Sequence, residues 1–146
     1  METKYWIIAA SKDHVKIGVN GGFAQACHGK TSPLKRMKAG DYIIYYSSKV
    51  TMGKPDKCQE FTAIGQIKDD TVYQHQMNEN FCPSRIDIEF FESTDVSILP
   101  LIHQLNFISN KSRWGYPFRW GILEIGQNDF DIIADQMLSS REELVG

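Results

Sequence analysis

The apolar residues of this chain come in short runs of five to eight, rich in aromatic and β-branched side chains, and small polar residues or glycine close each run. Such runs occur at 5–10, 42–46, 61–68, 72–77, 86–92 and 119–125. Lengths of this order read as strands, and none approaches the roughly 18 uninterrupted apolar residues of a membrane span. About six short strands and a few short helices, with no strict βαβ alternation, predict an α+β fold. The sheet is expected to be mixed or largely antiparallel and curled like a barrel with a mouth, with helices around it. The length fits one domain, residues 1–146.

Between the strands the local signals predict the following. Ser11 stands as an N-cap, and a short helix through 15–19 ends at Asn20, Gly21 and Gly22. Residues 23–30 show no period and read as a loop. A short basic helix starts at Pro33 and ends by 39–41. Residues 47–60 are polar, with Gly53 and Pro55, and read as a loop. Gly65 marks a bulge or a close backbone approach, Asp69 and Asp70 a turn, and 78–85 another loop. Residues 97–99 suggest an edge strand and 100–105 a short helix. Asn128 is the expected cap of a helix over 129–138, with Phe130, Ile133, Ala134 and Met137 on one face, and 139–146 is a frayed tail.

Residues 113–121 (Arg-Trp-Gly-Tyr-Pro-Phe-Arg-Trp-Gly) are unlike the rest: four of the nine are aromatic, against 12% of the whole chain. Glycine and proline disfavour a helix here, and proline disfavours a strand in the first half. A shaped loop results, presenting flat π surfaces beside guanidinium groups, and such surfaces hold nucleobases by stacking.

Net charge is only −2, but it is unevenly spread. Residues 1–60 hold ten Lys/Arg against five Asp/Glu, and residues 61–146 hold six against thirteen. Three of those six, Lys111, Arg113 and Arg119, sit in or beside the aromatic segment. A small positive face suits a short stretch of nucleic acid better than a long duplex track. The three cysteines, Cys27, Cys58 and Cys82, include no Cys-x-x-Cys pair, and the four histidines are scattered. This argues against a disulfide framework, a zinc site or any other metal. The apolar run at the N-terminus is too short for a signal peptide, so a cytoplasmic location is expected.

Catalytic motifs are weak. Cys27 and His28 are adjacent, which says nothing about meeting across a fold. Residues 29–32 (Gly-Lys-Thr-Ser) resemble the end of a P-loop, but Ala24 stands where the upstream glycine belongs. The expectation is no enzyme and no cofactor. Binding has more parts. Trp6, Phe23, Tyr45, Tyr46, Trp114, Tyr116, Phe118 and Trp120 supply rings. Ser11, His14, Gln25, Ser47 and Ser48 supply hydrogen-bonding groups, and Lys30, Lys35, Arg36, Arg113 and Arg119 supply positive charge. A flipped base needs this combination. A nucleotide-handling enzyme, or a small-molecule or protein-interaction domain, remains the alternative.

Four segments carry a resemblance: Tyr-Trp-Ile-Ile-Ala-Ala-Ser at 5–11, His-Val-Lys-Ile-Gly-Val-Asn-Gly-Gly-Phe-Ala-Gln-Ala-Cys-His-Gly-Lys at 14–30, Pro-Leu-Lys-Arg-Met-Lys-Ala-Gly-Asp-Tyr-Ile-Ile-Tyr-Tyr-Ser at 33–47, and Trp-Gly-Tyr-Pro-Phe-Arg-Trp-Gly at 114–121. With them the chain resembles the EVE domain family, a branch of the PUA-like superfamily related in fold to YTH domains, from residue 4 to about 138. The resemblance implies a pseudo-barrel of curled mixed sheet with helices packed around it. It also implies a pocket for a modified base in DNA or RNA, with no catalysis by the domain itself, and a methylated base is the expectation. Carried over by position, that pocket draws on Trp6, Ser11, His14, Gly22, Phe23, Gln25, Ala26, Tyr46, Ser47, Phe118 and Arg119. Lys30, Lys35, Arg36 and Arg113 would meet the nucleic-acid backbone. Any effector is expected to be a separate protein.

Overall fold

The computed structural model describes residues 3–25, 32–77, 79 and 84–138. In chain order the elements are β1 (Tyr5–Ala9), α1 (Lys12–Gly21), β2 (Phe23–Gln25), α2 (Ser32–Lys35), β3 (Tyr42–Lys49), β4 (Lys57–Gln74), β5 (Ser84–Phe90), β6 (Val96–Ser97), β7 (Ile122–Ile125) and α3 (Gln127–Met137). Three 3₁₀ turns, Leu99–Gln104, Lys111–Arg113 and Tyr116–Trp120, lie between β6 and β7. Among the described residues the sheet has seven strands in the order β2-β5-β4-β3-β1-β7, with β6 alongside β4. β1 and β3 are parallel and the other pairs antiparallel. The fold is the α+β one expected, a mixed open sheet with short helices around it.

The sheet is covered on both faces, which is why its central strands read as unbroken apolar runs. Ile7, Ile44 and Tyr46 pack on one side with Phe118, Phe130, Ile133 and Met137. Trp6, Ile8, Ile43 and Tyr45 pack on the other with Val15 of α1, Ala24 of β2 and Leu34 and Met37 around α2. The period-two alternation of β1 and β3 thus divides neighbouring residues between two cores. Asp41 stands where β3 begins. Its buried carboxylate accepts from the Lys4 and Lys38 amides and from the Trp6 indole N–H, each at 3.0 Å.

The structure corrects several local expectations. Residues 23–30 read as loop in the sequence, but Phe23–Gln25 pair with Asp87–Arg85 as a strand. β3 runs on to Lys49 and β4 starts at Lys57, so the 47–60 loop shrinks to its middle. Asp69 and Asp70 make no chain reversal. The 18-residue β4 passes straight through them, and register shifts against β5 on either side of Asp69 absorb the mismatch. A period-two signal cannot reveal this, because polar residues interrupt it. Gly65 is a close approach: a Cβ there would lie 2.7 Å from the Glu89 carbonyl oxygen. The last helix starts at Gln127 with Gly126 as its cap, so Asn128 is inside it. Asp129 instead reaches back to accept from the Asn106 and Phe107 amides, both at 2.8 Å. The short helix expected at 100–105 is a 3₁₀ turn, Leu99–Gln104, and the loop expected at 113–121 contains another, Tyr116–Trp120, each with a proline near its start, where no amide is needed. The last strand accordingly begins at Ile122, not at 119.

Candidate functional site

A cavity lies where β1 hands the chain to α1. Ala9, Ala10 and Ser11 form its floor, and His14, Ile17 and Gly18 of α1 form one side. Phe23 and Gln25 of β2, Tyr45, Ser48 and Lys49 of β3, and Met52, Gly53 and Met77 complete it, with a volume of about 500 Å³. That is within the range of roughly 300–1,000 Å³ typical of small-ligand pockets. Its body is apolar. Ile17, Met52 and Met77 are half-exposed because they line it. Ser11, His14, Gln25, Ser48 and Lys49 provide polar groups around the apolar lining.

Each wall has a local cause. Gly22, in the left-handed conformation at φ 74°, ends α1 and turns the chain directly into β2. Gly18 lets helix and strand touch, since a Cβ there would sit 2.7 Å from the Phe23 carbonyl oxygen. Ser11 is the N-cap residue, but its hydroxyl bonds the Asp13 carboxylate instead of a helix amide. Asp13 then ties α1 to the far wall: its amide donates to Val50 O at 2.9 Å, and its carboxylate accepts from the Met52 amide at 3.4 Å. The Ser11 hydroxyl, with the Met52 and His14 amides adding to it, holds the Asp13 carboxyl below its ordinary pKa.

Arg85 of β5 supports the third wall. It is 7% exposed, its guanidinium lies 3.8 Å from the Phe23 ring centroid, and its Nε donates to Gln25 Oε1 at 3.0 Å. With the amide oxygen of Gln25 engaged, the end that Gln25 offers a ligand is its NH₂ donor.

Residues 113–121 do not line this cavity. Phe118 is buried and stacks on Tyr46, with centroids 4.0 Å apart and planes at 18°, and Trp114 meets Tyr46 edge-on. Tyr116 and Trp120 face solvent with Arg119 between them. The segment is a two-sided turn, one side nailed into the core.

Residues 4–136 match the EVE domain. The chain belongs to the EVE domain family. It is 48% identical to a UPF0310 protein of Bacillus licheniformis, with 88% of this chain and 87% of that one covered. It is 44% identical to a UPF0310 protein of Mycobacterium avium, covering 92% and 98%. A solved structure of a hypothetical protein from Leishmania major is similar in fold, with a TM-score of 0.59 at 12% identity over 99% of this chain and 98% of that one.

In this EVE domain the residues singled out from sequence separate into groups. Ser11, His14, Phe23 and Gln25 come together on the cavity, and Gly22 makes the turn between two of its walls. Trp6 lies in the core on the cavity side, 1% exposed, with the Arg36 guanidinium 5.4 Å from its ring centroid. Tyr46, Ser47 and Phe118 are buried away from the cavity. Tyr46 and Phe118 belong to the opposite core, and the Ser47 hydroxyl pairs with Thr62 at 2.8 Å. Burial pushes the Tyr46 phenol well above its ordinary pKa. Lys35, Arg36 and Arg113 are exposed, outside the cavity wall. Ala26 and Lys30, with Cys27, His28 and Cys82, lie outside the described residues. Among the described residues no group of acidic, histidine or cysteine side chains could hold a metal.

Sequence reasoning missed Ile17, Met52, Met77 and Arg85. Met52 and Met77 carry no local signal, because they reach the cavity only through the Asp13 tie and the length of β4. Arg85 shows one faint sign, a lone cation opening an otherwise apolar and acidic strand.

Proposed function

We propose that this EVE domain binds nucleic acid without catalysis, taking a single methylated base of DNA or RNA into the cavity at the β1–α1 junction. The observation that supports this best is the cavity itself: an apolar body with polar groups placed around it. A base offers two flat apolar faces and a polar edge, and this lining suits both. Phe23 and Tyr45 supply ring surface. The Gln25 amide donates to a base carbonyl, and Ser11 and His14 complete the edge. Ile17, Met52 and Met77 form the niche that senses a methyl group.

The test is fluorescence anisotropy with labelled oligonucleotides, identical except for one 5-methylcytosine, one N6-methyladenine or no modification. A filled methyl niche is worth about 1–3 kcal/mol, so the preferred oligonucleotide should bind about 5- to 150-fold more tightly than its unmodified match. His14→Ala should narrow that ratio. Equal affinity for every oligonucleotide in the panel would refute the reading.

A further inference from the structure

The most exposed large apolar side chains outside the cavity include Trp120, 68% exposed, and Tyr116, 51% exposed. Both come from the turn Tyr116–Trp120, and Arg119 joins them. The Arg119 guanidinium carbon is 3.8 Å from the Tyr116 ring centroid and 4.6 Å from that of Trp120, and its Nη2 donates to the Tyr116 hydroxyl. Residues three apart eclipse one another in a 3₁₀ turn, which brings 116 and 119 together.

Packing does not require these rings to face water. The same turn is already anchored by Phe118, which stacks on Tyr46 and meets Phe107 edge-on at 5.7 Å. Two exposed rings bracketing a cation form an ordered surface that ordinary solubility would not select. The surface carries positive charge: among the described residues Arg119 is met by π faces rather than by a carboxylate, and Arg113 stands exposed in the preceding turn. The turn is also tied to the cavity. Gly121, next after Trp120, accepts through its carbonyl from the amide of Ala9, a cavity-floor residue, at 2.7 Å.

We infer that Tyr116, Arg119 and Trp120 form a second nucleic-acid contact outside the cavity, a platform on which an unstacked base lies against Trp120 while Arg119 meets its phosphate. The inference rests on the nucleic-acid reading above. Aromatic surface alone would suit a protein partner equally, but the shared guanidinium and the tie to the cavity floor favour a polyanion of stackable bases. Flipping one base leaves its neighbours and its partner unstacked, and an exposed indole can cover such a face. Every base has a π face, so the platform adds affinity without reading the modification.

The experiment measures binding of the wild-type protein, Trp120→Ala and Trp120→Phe to matched modified and unmodified oligonucleotides. Trp120→Ala should weaken both by the same factor, about 5- to 100-fold, with the ratio between them unchanged. Trp120→Phe should recover most of the loss. The exposed position leaves folding intact, which circular dichroism checks. If wild type discriminates and Trp120→Ala binds as wild type, the platform is wrong and the cavity reading stands. If Trp120→Ala loses only the modified oligonucleotide, Trp120 belongs to base readout and the platform is again wrong. If wild type binds without discriminating and Trp120→Ala binds less, the cavity reading fails and the platform survives. No binding by wild type removes both.

Discussion

Arg85 shows what one side chain can decide here. Its stem and guanidinium are buried, and its charge is met by the face of Phe23 and the amide oxygen of Gln25. Those two residues line the cavity, so Arg85 positions both while touching no ligand itself. Lysine would keep the charge but not the planar face or the fixed donor geometry. Arg85→Lys should therefore lower stability by about 1–3 kcal/mol, the combined scale of a desolvated cation–π contact and a charge-assisted hydrogen bond. It should also weaken the preferred oligonucleotide more than the unmodified one, because the Gln25 donor is no longer aimed. Denaturant midpoints and anisotropy check the two effects, and an unchanged midpoint would show that Arg85 merely fills space. Asp41 is the structural counterpart of Arg85. In the sequence it looks like the end of a short helix, yet it holds the Trp6 indole in the core. Neither role is legible locally, since each rests on partners that only the folded chain brings near: Lys4 and Trp6 for one, Phe23 and Gln25 for the other.

Elements were legible where hydrophobic period and a backbone-specific residue agreed. β1, β3 and the α1 stop at Gly22 follow from apolar runs and an Asn-Gly-Gly signal. β2 is only three residues long and draws its strand character from pairing with β5, so its own sequence shows nothing. The face each residue takes was harder still. Tyr45 and Tyr46 are neighbours of the same type, but the pleat sends one to the cavity side and the other to the opposite core. The placement of α1 depends on Asp13, and this gives a pH dependence with a defined sign. The folded pKa of Asp13 is depressed, so its carboxylate binds fewer protons in the folded state than in the unfolded chain. The stabilisation is therefore fully present above the ordinary carboxylate pKa and is lost as pH falls through the depressed folded value. Wild type should be more stable than Asp13→Asn at pH 7, by less than about 1 kcal/mol because the group is well solvated, and the gap should narrow as pH falls below the ordinary carboxylate pKa. A gap that is constant or wider at low pH would mean that Asp13 contributes through shape and not charge.

At the scale of the molecule, the charge pattern and the shape of the cavity make separate contributions to binding. The protein is slightly acidic, with a net charge of −2, and its cations near the proposed contacts are few. Lys49 lines the cavity, and Arg113 and Arg119 belong to the aromatic segment. Two or three phosphate contacts release two or three counterions, so affinity for duplex DNA should fall with a slope of about −2 to −3 in log–log salt dependence. Raising salt from 50 to 200 mM then weakens binding about 15- to 65-fold, far less than the factor of about 10³–10⁵ expected of a protein with six to ten such contacts. The cavity behaves differently. The side chains of its proposed methyl niche, Ile17, Met52 and Met77, are uncharged, and a methyl group on a base changes no phosphate. The ratio of modified to unmodified affinity should therefore stay constant across the same salt range while both affinities fall together. Anisotropy titrations at four salt concentrations measure slope and ratio at once. A ratio that declines with salt would place discrimination in the charged contacts and take it away from the cavity at the β1–α1 junction.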